Sequence, residues 1–433
     1  MKEEGIYERL STSPMSNAQI VAVILVIALC ALDGFDVFAI TFVIPQIEQE
    51  WQIGKAALGA ILSAGLLGMA AGSLLISPLA DVWGRRRVLL PSLALVTAGT
   101  AWSAMSVGAV ELGLSRMVTG LGIGGTIAII NPLAAEYSNE RRRDLSVMLL
   151  NLGFPVGAIG GGVVAAWILP SYGWRALFLC ATMLGLVLLL LSFKLLPEPV
   201  SGLLARPAPD TLKKVNAYLR RCNQREILTL PDAVVRKPAI AALIEGEMAR
   251  LTLYVTAIYF LYVMSLFYIQ SWIPAIVAGA GFNISQAAYV SVWMNCGGIA
   301  GGVILGIVAA RIGLKQAVAS AFFIGAAIIA GLEYAANDII ILAGAGSVLG
   351  VFTIGGMVGL YAVISRSFPI HMRASGTGIV IGVGRLGSVI GPAGGGVLLS
   401  LGLSQSLIST IMAAPAILAA LLLLRLKIRE GGE

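Results

Sequence analysis

Charge is scarce in this chain. Only 12% of its 433 residues are Asp, Glu, Lys or Arg, about half of the ~25% found in soluble domains. With 58% hydrophobic residues, there is too little polar surface to cover a water-soluble globule, and the bilayer is the medium that fits. Histidine is nearly absent: His371 stands alone and cannot make a metal site. Four cysteines, Cys30, Cys180, Cys222 and Cys296, show no CxxC spacing, which leaves packing as their role rather than zinc or disulfides. With no ligand cluster and no nucleophile–base set, enzyme chemistry and a bound cofactor are both unexpected. A nucleotide-binding domain is equally unexpected, so ATP is not the expected driving source.

Long apolar runs are what the chain has instead. Twelve stretches reach the ~20 residues that a spanning helix needs: 18–44, 56–80, 88–107, 110–135, 145–168, 175–196, 250–275, 286–310, 315–334, 338–364, 374–399 and 404–425. They are too long and even for β-barrel strands, which alternate over ~10 residues. The formal charge of +7 invites a nucleic-acid partner, but 25 of the 29 basic residues fall on one side of the twelve-helix arrangement. By the positive-inside rule that side is the cytoplasm, which places both termini there in a cell (inner) membrane and leaves nucleic acid without a role. The first apolar run follows an acidic KEE and lacks a small-residue cleavage site, so it is expected to stay as helix 1.

The chain repeats itself. SPLADVWGRRR from Ser77 and GIVAARIGLKQ from Gly306 align at a shift of 229 residues, and GFPVGAIGGGV from Gly153 and GSVIGPAGGGV from Gly387 at a shift of 234. The expected fold class is therefore an all-α membrane protein with twelve transmembrane helices in two pseudo-symmetric six-helix halves, residues 1–196 and 250–433, joined by a cytoplasmic loop over 197–249. Parallel repeats place a substrate site near the bilayer midplane at their interface, where rocking of the halves gives alternating access. The glycine clusters let backbones approach closely. GVGRLG from Gly382 formally matches GxGxxG, but no strand precedes it and the match is one of composition.

Twelve helices in two halves, with LADVWGRRR between helices 2 and 3, resemble the major facilitator superfamily. DGFD over Asp33 to Asp36, SRMVTGLGIGG from Ser115, AEYSNERRR at the end of helix 4, LPEP from Leu196 and GVGRLGSVIGP from Gly382 resemble its aromatic acid:proton symporters. The resemblance covers nearly the whole chain and implies proton-coupled uptake of a small organic anion, an aromatic carboxylate of the benzoate or hydroxybenzoate type. Symport of another carboxylate, such as a sugar acid or dicarboxylate, and export of drugs against protons stay open beside it. Departures are Ser77 for the first glycine of the loop motif, Val82 for its basic residue and Pro199 in LPEP.

Residue depth supplies the chemistry. Asp33 and Asp36 share one face of helix 1 in an otherwise apolar run, where a carboxylate is costly and marks function. Arg116, in helix 4, falls at a similar depth to Asp36. Competition between burial and a nearby cation tunes such a site to take and release a proton, so Asp33 and Asp36 are expected to carry it with Arg116 as counter-charge. The alternative is a static Asp36–Arg116 pair that fixes packing. Arg385, near the middle of helix 11, offers a planar fork suited to a substrate carboxylate, with Arg116 as second candidate. In helix 7, Tyr259, Tyr262 and Phe267 offer rings for stacking, Gln270 and Asn295 are hydrogen-bonding neighbours, and Tyr254 and Trp272 read as interface anchors. At the cytoplasmic ends, Asp81, followed by Gly84 and Arg85 in the gating motif, is expected to meet a helix N-terminus of the other half with its carboxylate, and Glu136 with Arg141 to Arg143 to form a second charge network. Within the central loop, Leu212, Val215 and Leu219 space out a short amphipathic helix expected on the membrane surface. Asn283 begins an N-x-S sequon in an outside loop. A monomer in the lipid bilayer is the expected working unit.

Overall fold

A computed structural model describes residues 6–205, 209–230, 243, 245–332, 338–369 and 372–426, and no strand occurs among them. His371 lies outside the described residues. Helix α1 (Asn17–Trp51) opens on a reciprocal cap in which the Ser16 hydroxyl accepts from the Gln19 amide and the Gln19 side chain accepts from the Ser16 amide. It ends at Gln52 in the left-handed region, φ 50°. Next come α2 (Lys55–Leu75), a short turn of helix over Ser77–Trp83, α3 (Arg85–Met105) and α4 (Ala109–Tyr137). The following run, Glu140–Leu195, has 56 residues, about 84 Å at 1.5 Å per residue, far more than a ~30 Å bilayer core can hold. Gly173 divides it, with φ 73° and ψ 175° in mid-run, so that α5 covers 140–172 and α6 covers 174–195. Among the described residues, eleven helices are long and apolar enough to cross a membrane, and the division of this one accounts for the twelve spans expected.

The second half repeats the plan with α7 (Gly246–Gly279), α8 (Ile284–Ile312), α9 (Leu314–Gly331), α10 (Ile339–Ser367), α11 (Arg373–Gly384 and Leu386–Ser400, interrupted at Arg385) and α12 (Gln405–Arg425). The sequence repeat is also a repeat of geometry. Gly84 and Gly313 each join the second helix of a half to the third with nearly the same backbone, φ 99° and ψ 144° against φ 90° and ψ 145°. Arg86 donates to the Phe193 carbonyl at 2.6 Å, and its counterpart Lys315 donates to the Leu426 carbonyl at 3.1 Å. Each basic side chain thus satisfies a carbonyl that the end of a sixth helix leaves unpaired.

Small residues set the helix contacts. Gly34 of α1 lies against the Phe154 carbonyl of α5, and Gly157 of α5 against the Ala31 carbonyl of α1. Gly68 and Gly72 of α2 fit against Met117 and Leu121 of α4 in the same way. A side chain at any of these positions would meet a backbone oxygen, which cannot yield as a flexible tip can. We call the end carrying Arg85 to Arg87 the basic end and the opposite one the far end. At the far end the halves meet tightly: a Cβ on Gly59 of α2 would come within 3.0 Å of Gly396 Cα on α11, and Ser285 at the start of α8 donates to the Ala166 carbonyl of α5 at 2.8 Å.

Two expectations change. The helix Thr211–Arg221 exists, but its buried Val215, Tyr218 and Leu219 pack with Leu133, Tyr137 and Leu196 at the basic end of the first half rather than on lipid. Asn216 fixes its neighbour strand of chain, bonding both the amide and the carbonyl of Ile227 at 2.9 Å. Trp272 is no interface anchor: it is buried, and its indole donates to the Pro392 carbonyl at 3.0 Å, tying α7 to α11. Tyr254 bonds the Leu422 carbonyl of α12 at 2.9 Å.

Candidate functional site

The two aspartates of α1 sit one turn apart, and their surroundings differ sharply. Asp36 is 1% exposed and Arg116 2% exposed. The guanidinium donates from Nη2 to Asp36 Oδ2 at 3.0 Å and from Nη1 to Oδ1 at 3.3 Å, and Nη2 also reaches the Asp36 carbonyl at 2.9 Å. Thr100 of α3 donates to Oδ1 at 3.0 Å, and the Phe178 ring of α6 faces the guanidinium carbon at 5.5 Å. Four helices of the first half therefore converge on one ion pair, whose forked geometry and added hydrogen bonds are what a charge pair needs away from water.

Asp33 has none of this. It is 0% exposed, and neither carboxylate oxygen has a hydrogen-bond partner. The charged side chains acting on it are Asp36, one turn away, and Arg385 from the second half. Arg385 stands at the interruption of α11, where Ser388 bonds back to the Arg385 carbonyl through its amide (2.9 Å) and its hydroxyl (2.6 Å) and tightens the turn. Its Nη1 donates to Ser73 Oγ of α2 at 2.9 Å, across the boundary between the halves. The Tyr259 hydroxyl is in hydrogen-bonding range of Arg385 and Tyr361. The Tyr259 and Tyr361 rings lie 6.1 Å apart, tilted by 42°, and Tyr259 can lie this close to α11 because residue 384 has no side chain.

The expected ligand residues of α7 and α8 separate into groups. Tyr259 is beside Arg385, whereas Tyr262 is turned into the second half: its ring stacks on Phe322 at 3.6 Å and its hydroxyl donates to the Thr353 carbonyl. Phe267 and Gln270 line a small pocket with Val37, Thr41, Leu66 and Ser271, between α1, α2 and α7. Arg116 lines an adjoining pocket. Asn295 is buried and donates to the Ser291 carbonyl of its own helix at 2.9 Å. Asn283 accepts from the Gln286 amide at 2.9 Å as the cap of α8.

At the basic end the described contacts of the loop motif stay within the first half. Arg85 pairs with Glu136, which ties the loop motif to the end of α4, and the Arg141 side chain is exposed. The Asp81 side chain lies outside what the structure describes. The acid observed at a helix start is Glu198, which accepts from the Arg86 amide at 3.3 Å and from the Arg85 amide at the N-terminus of α3. Burial pushes the Glu198 carboxyl above its ordinary value of 4.5, against the pull of those amides and of Arg87 and Arg86. Gly84 fits beneath it, since a Cβ there would lie 2.9 Å from Glu198 Oε1.

Sequence reasoning had no role for Thr100, Phe178, Ser73, Tyr361 or Glu198. Serine and threonine in apolar helices commonly satisfy their hydroxyls on a carbonyl one turn back, and Ser73 and Thr100 both do so, on Met69 at 2.8 Å and on Val96 at 2.8 Å. Their second contacts are tertiary, and nothing in the local pattern announces them. Glu198 was the readable one, as an acid in the polar segment directly after a long apolar helix.

Comparison with known proteins agrees with this architecture. The family model of the Major Facilitator Superfamily matches residues 26–332 and 255–432 in two overlapping stretches. The gallate transporter of Pseudomonas putida is 30% identical over 96% of this chain and 93% of its own length. A 4-hydroxybenzoate transporter from the same organism is 28% identical over 96% of this chain and 94% of its own. Among solved structures, the xylose transporter XylE of E. coli, in a partially occluded inward-open conformation, superposes with a TM-score of 0.75 over 96% of this chain and 100% of that one, at 15% identity. With its repeated helix plan and its span of both relatives nearly end to end, the chain belongs to the Major Facilitator Superfamily and is a transporter, not an enzyme.

Proposed function

We propose that this protein takes up a small aromatic carboxylate together with a proton, by alternating access of its two halves. Asp33 carries the proton and Arg385 receives the carboxylate. Tyr259 and Tyr361 flank the ring, Phe267 and Gln270 line its path, and the Asp36–Arg116 pair holds α1 in register beside Asp33. The halves are residues 1–196 and 250–433 with the segment 197–249 between them, a monomer is the working unit, and the basic end faces the cytoplasm across the inner membrane.

The observation that carries the reading is a fully buried, hydrogen-bond-free Asp33 that feels the charge of an arginine from the opposite half. Charge must balance in a low-dielectric site. With the carrier empty, ionised Asp33 offsets Arg385. Once Asp33 is protonated, the arginine is free for the substrate carboxylate, and the centre has the same net charge loaded as empty. A proton and an organic anion therefore cross together more easily than either does alone. The relatives support the substrate class: gallate and 4-hydroxybenzoate are both ring-bearing carboxylates.

Uptake of labelled 4-hydroxybenzoate into proteoliposomes tests this. Accumulation is expected only with an inward proton gradient, and Arg385→Ala is expected to remove saturable uptake. Accumulation that ignores the gradient, or an Arg385→Ala protein with unaltered affinity, would overturn the reading.

A further inference from the structure

Ser73 makes three polar contacts, two within its own half and one outside it. Its hydroxyl proton is directed to the Met69 carbonyl at 2.8 Å, with the Gly124 carbonyl at 3.3 Å as a second acceptor. Its oxygen lone pair is left for Arg385 Nη1 of the second half, at 2.9 Å. Among the described residues, Ser73 and Ser63 of α2 both reach α11, but Ser63 bonds a backbone carbonyl, that of Val389 at 2.8 Å, in a contact that moves with the helix as a whole. The Ser73 contact ends on the charged group itself.

We propose that Ser73 is a positioning residue that parks the Arg385 guanidinium across the boundary between the halves in the empty carrier, and that an arriving substrate carboxylate displaces it. The inference rests on the assignment of Arg385 to the carboxylate. A serine hydroxyl suits the task because it is a neutral acceptor: a hydrogen bond from a guanidinium to a carboxylate is stronger than one to a hydroxyl, so the exchange runs towards bound substrate without trapping the arginine beforehand. Parking also gives the half-buried cation a neutral acceptor in addition to its neighbours Asp33 and Tyr259. Breaking the contact releases a tie between α2 and α11, so substrate arrival loosens the junction about which the halves rock.

A parked arginine competes with substrate, and removing the parking group should strengthen binding. In proteoliposomes Ser73→Ala is expected to lower the KM for 4-hydroxybenzoate on the order of tenfold, the size of a hydrogen bond to a charged group. Ser73→Thr, which restores the hydroxyl, should return KM to the wild-type value. A residue that merely packs α2 against α4 would lower thermal stability without improving KM. Should Ser73→Ala fail to reach the membrane, Ser73→Cys keeps the volume with a poor acceptor and carries the same expectation. A KM unchanged or raised in the hydroxyl-free variant, with Arg385→Ala still abolishing saturable uptake, overturns the role of Ser73 and leaves the proposed function standing. Undiminished affinity in Arg385→Ala overturns the function itself.

Discussion

The two halves share a scaffold and divide the chemistry. Gly84 and Gly313 turn the chain through the same angles, and Arg86 and Lys315 close the sixth helix of each half in the same way. At the same shift of 229 residues, which also relates Pro45 of α1 to Pro274 of α7, Asp33 and Asp36 fall on Tyr262 and Ser265. The first half thus holds three buried charges on α1 and α4, whereas the second supplies one arginine and the tyrosines around it. Duplicated helices preserve the features that packing and chain reversal demand. Midplane side chains are free to diverge, and coupling benefits: a charge that answers to a partner in the other half reports on the state of both.

The largest effect is expected where the halves face each other. Asp33→Asn should reduce gradient-driven accumulation to the level of empty vesicles with normal membrane abundance, while Tyr262→Phe, at its counterpart, should leave accumulation intact; equal losses in both would erase the contrast. Next is Asp36→Asn. It strands a buried guanidinium, an outcome that costs ~3–5 kcal/mol, and thermal melting in detergent should fall accordingly. Asp36→Leu with Arg116→Met should recover much of that stability, which distinguishes a pair that holds helices together from an aspartate that must titrate.

A smaller effect compares the two turns. Gly84→Ala and Gly313→Ala each force a side chain into the left-handed region at ~1–2 kcal/mol. The first should cost more, because its Cβ meets the Glu198 carboxylate held on the start of α3, whereas the second meets the free end of Gln316. Equal shifts in melting temperature would argue against Glu198 as a fixed cap. The smallest expected effect is on pH dependence. Burial raises the Glu198 carboxyl above 4.5, so the folded protein holds that proton more tightly than the unfolded chain does. Its contribution is fully present below pH 4.5 and is lost as pH rises through the raised value. Glu198→Gln should flatten the melting temperature over that window, and an unchanged slope would assign the pH dependence to other groups.

How far the chain could be read depended on the range of the interaction. Twelve spans were legible because apolar length is a local property, and even the boundary at Gly173 falls between the expected helices 145–168 and 175–196. Asp33, Asp36, Arg116 and Arg385 were legible because ionisable groups in apolar runs stand out. The amphipathic helix at 211–221 was legible too, but its resting place was not, since an apolar face fits a protein surface as well as a lipid one. Tyr262 shows the same limit: its position in α7 could not reveal that its ring stacks on Phe322 of α9.

Composition and spacing thus settled the medium, the number of crossings, the internal duplication and the identity of the charges. Which charge meets which came from the assembled bundle alone. A helix that is apolar on all sides has no period to say which face turns inward. That rotation is set instead by glycines seated on distant backbones or rings, such as Gly34 on the Phe154 carbonyl and Gly384 beneath the Tyr259 ring. Those seats deliver Arg116 to Asp36 across 80 residues and Arg385 to Ser73 across 312. They leave Asp33 buried without a hydrogen bond.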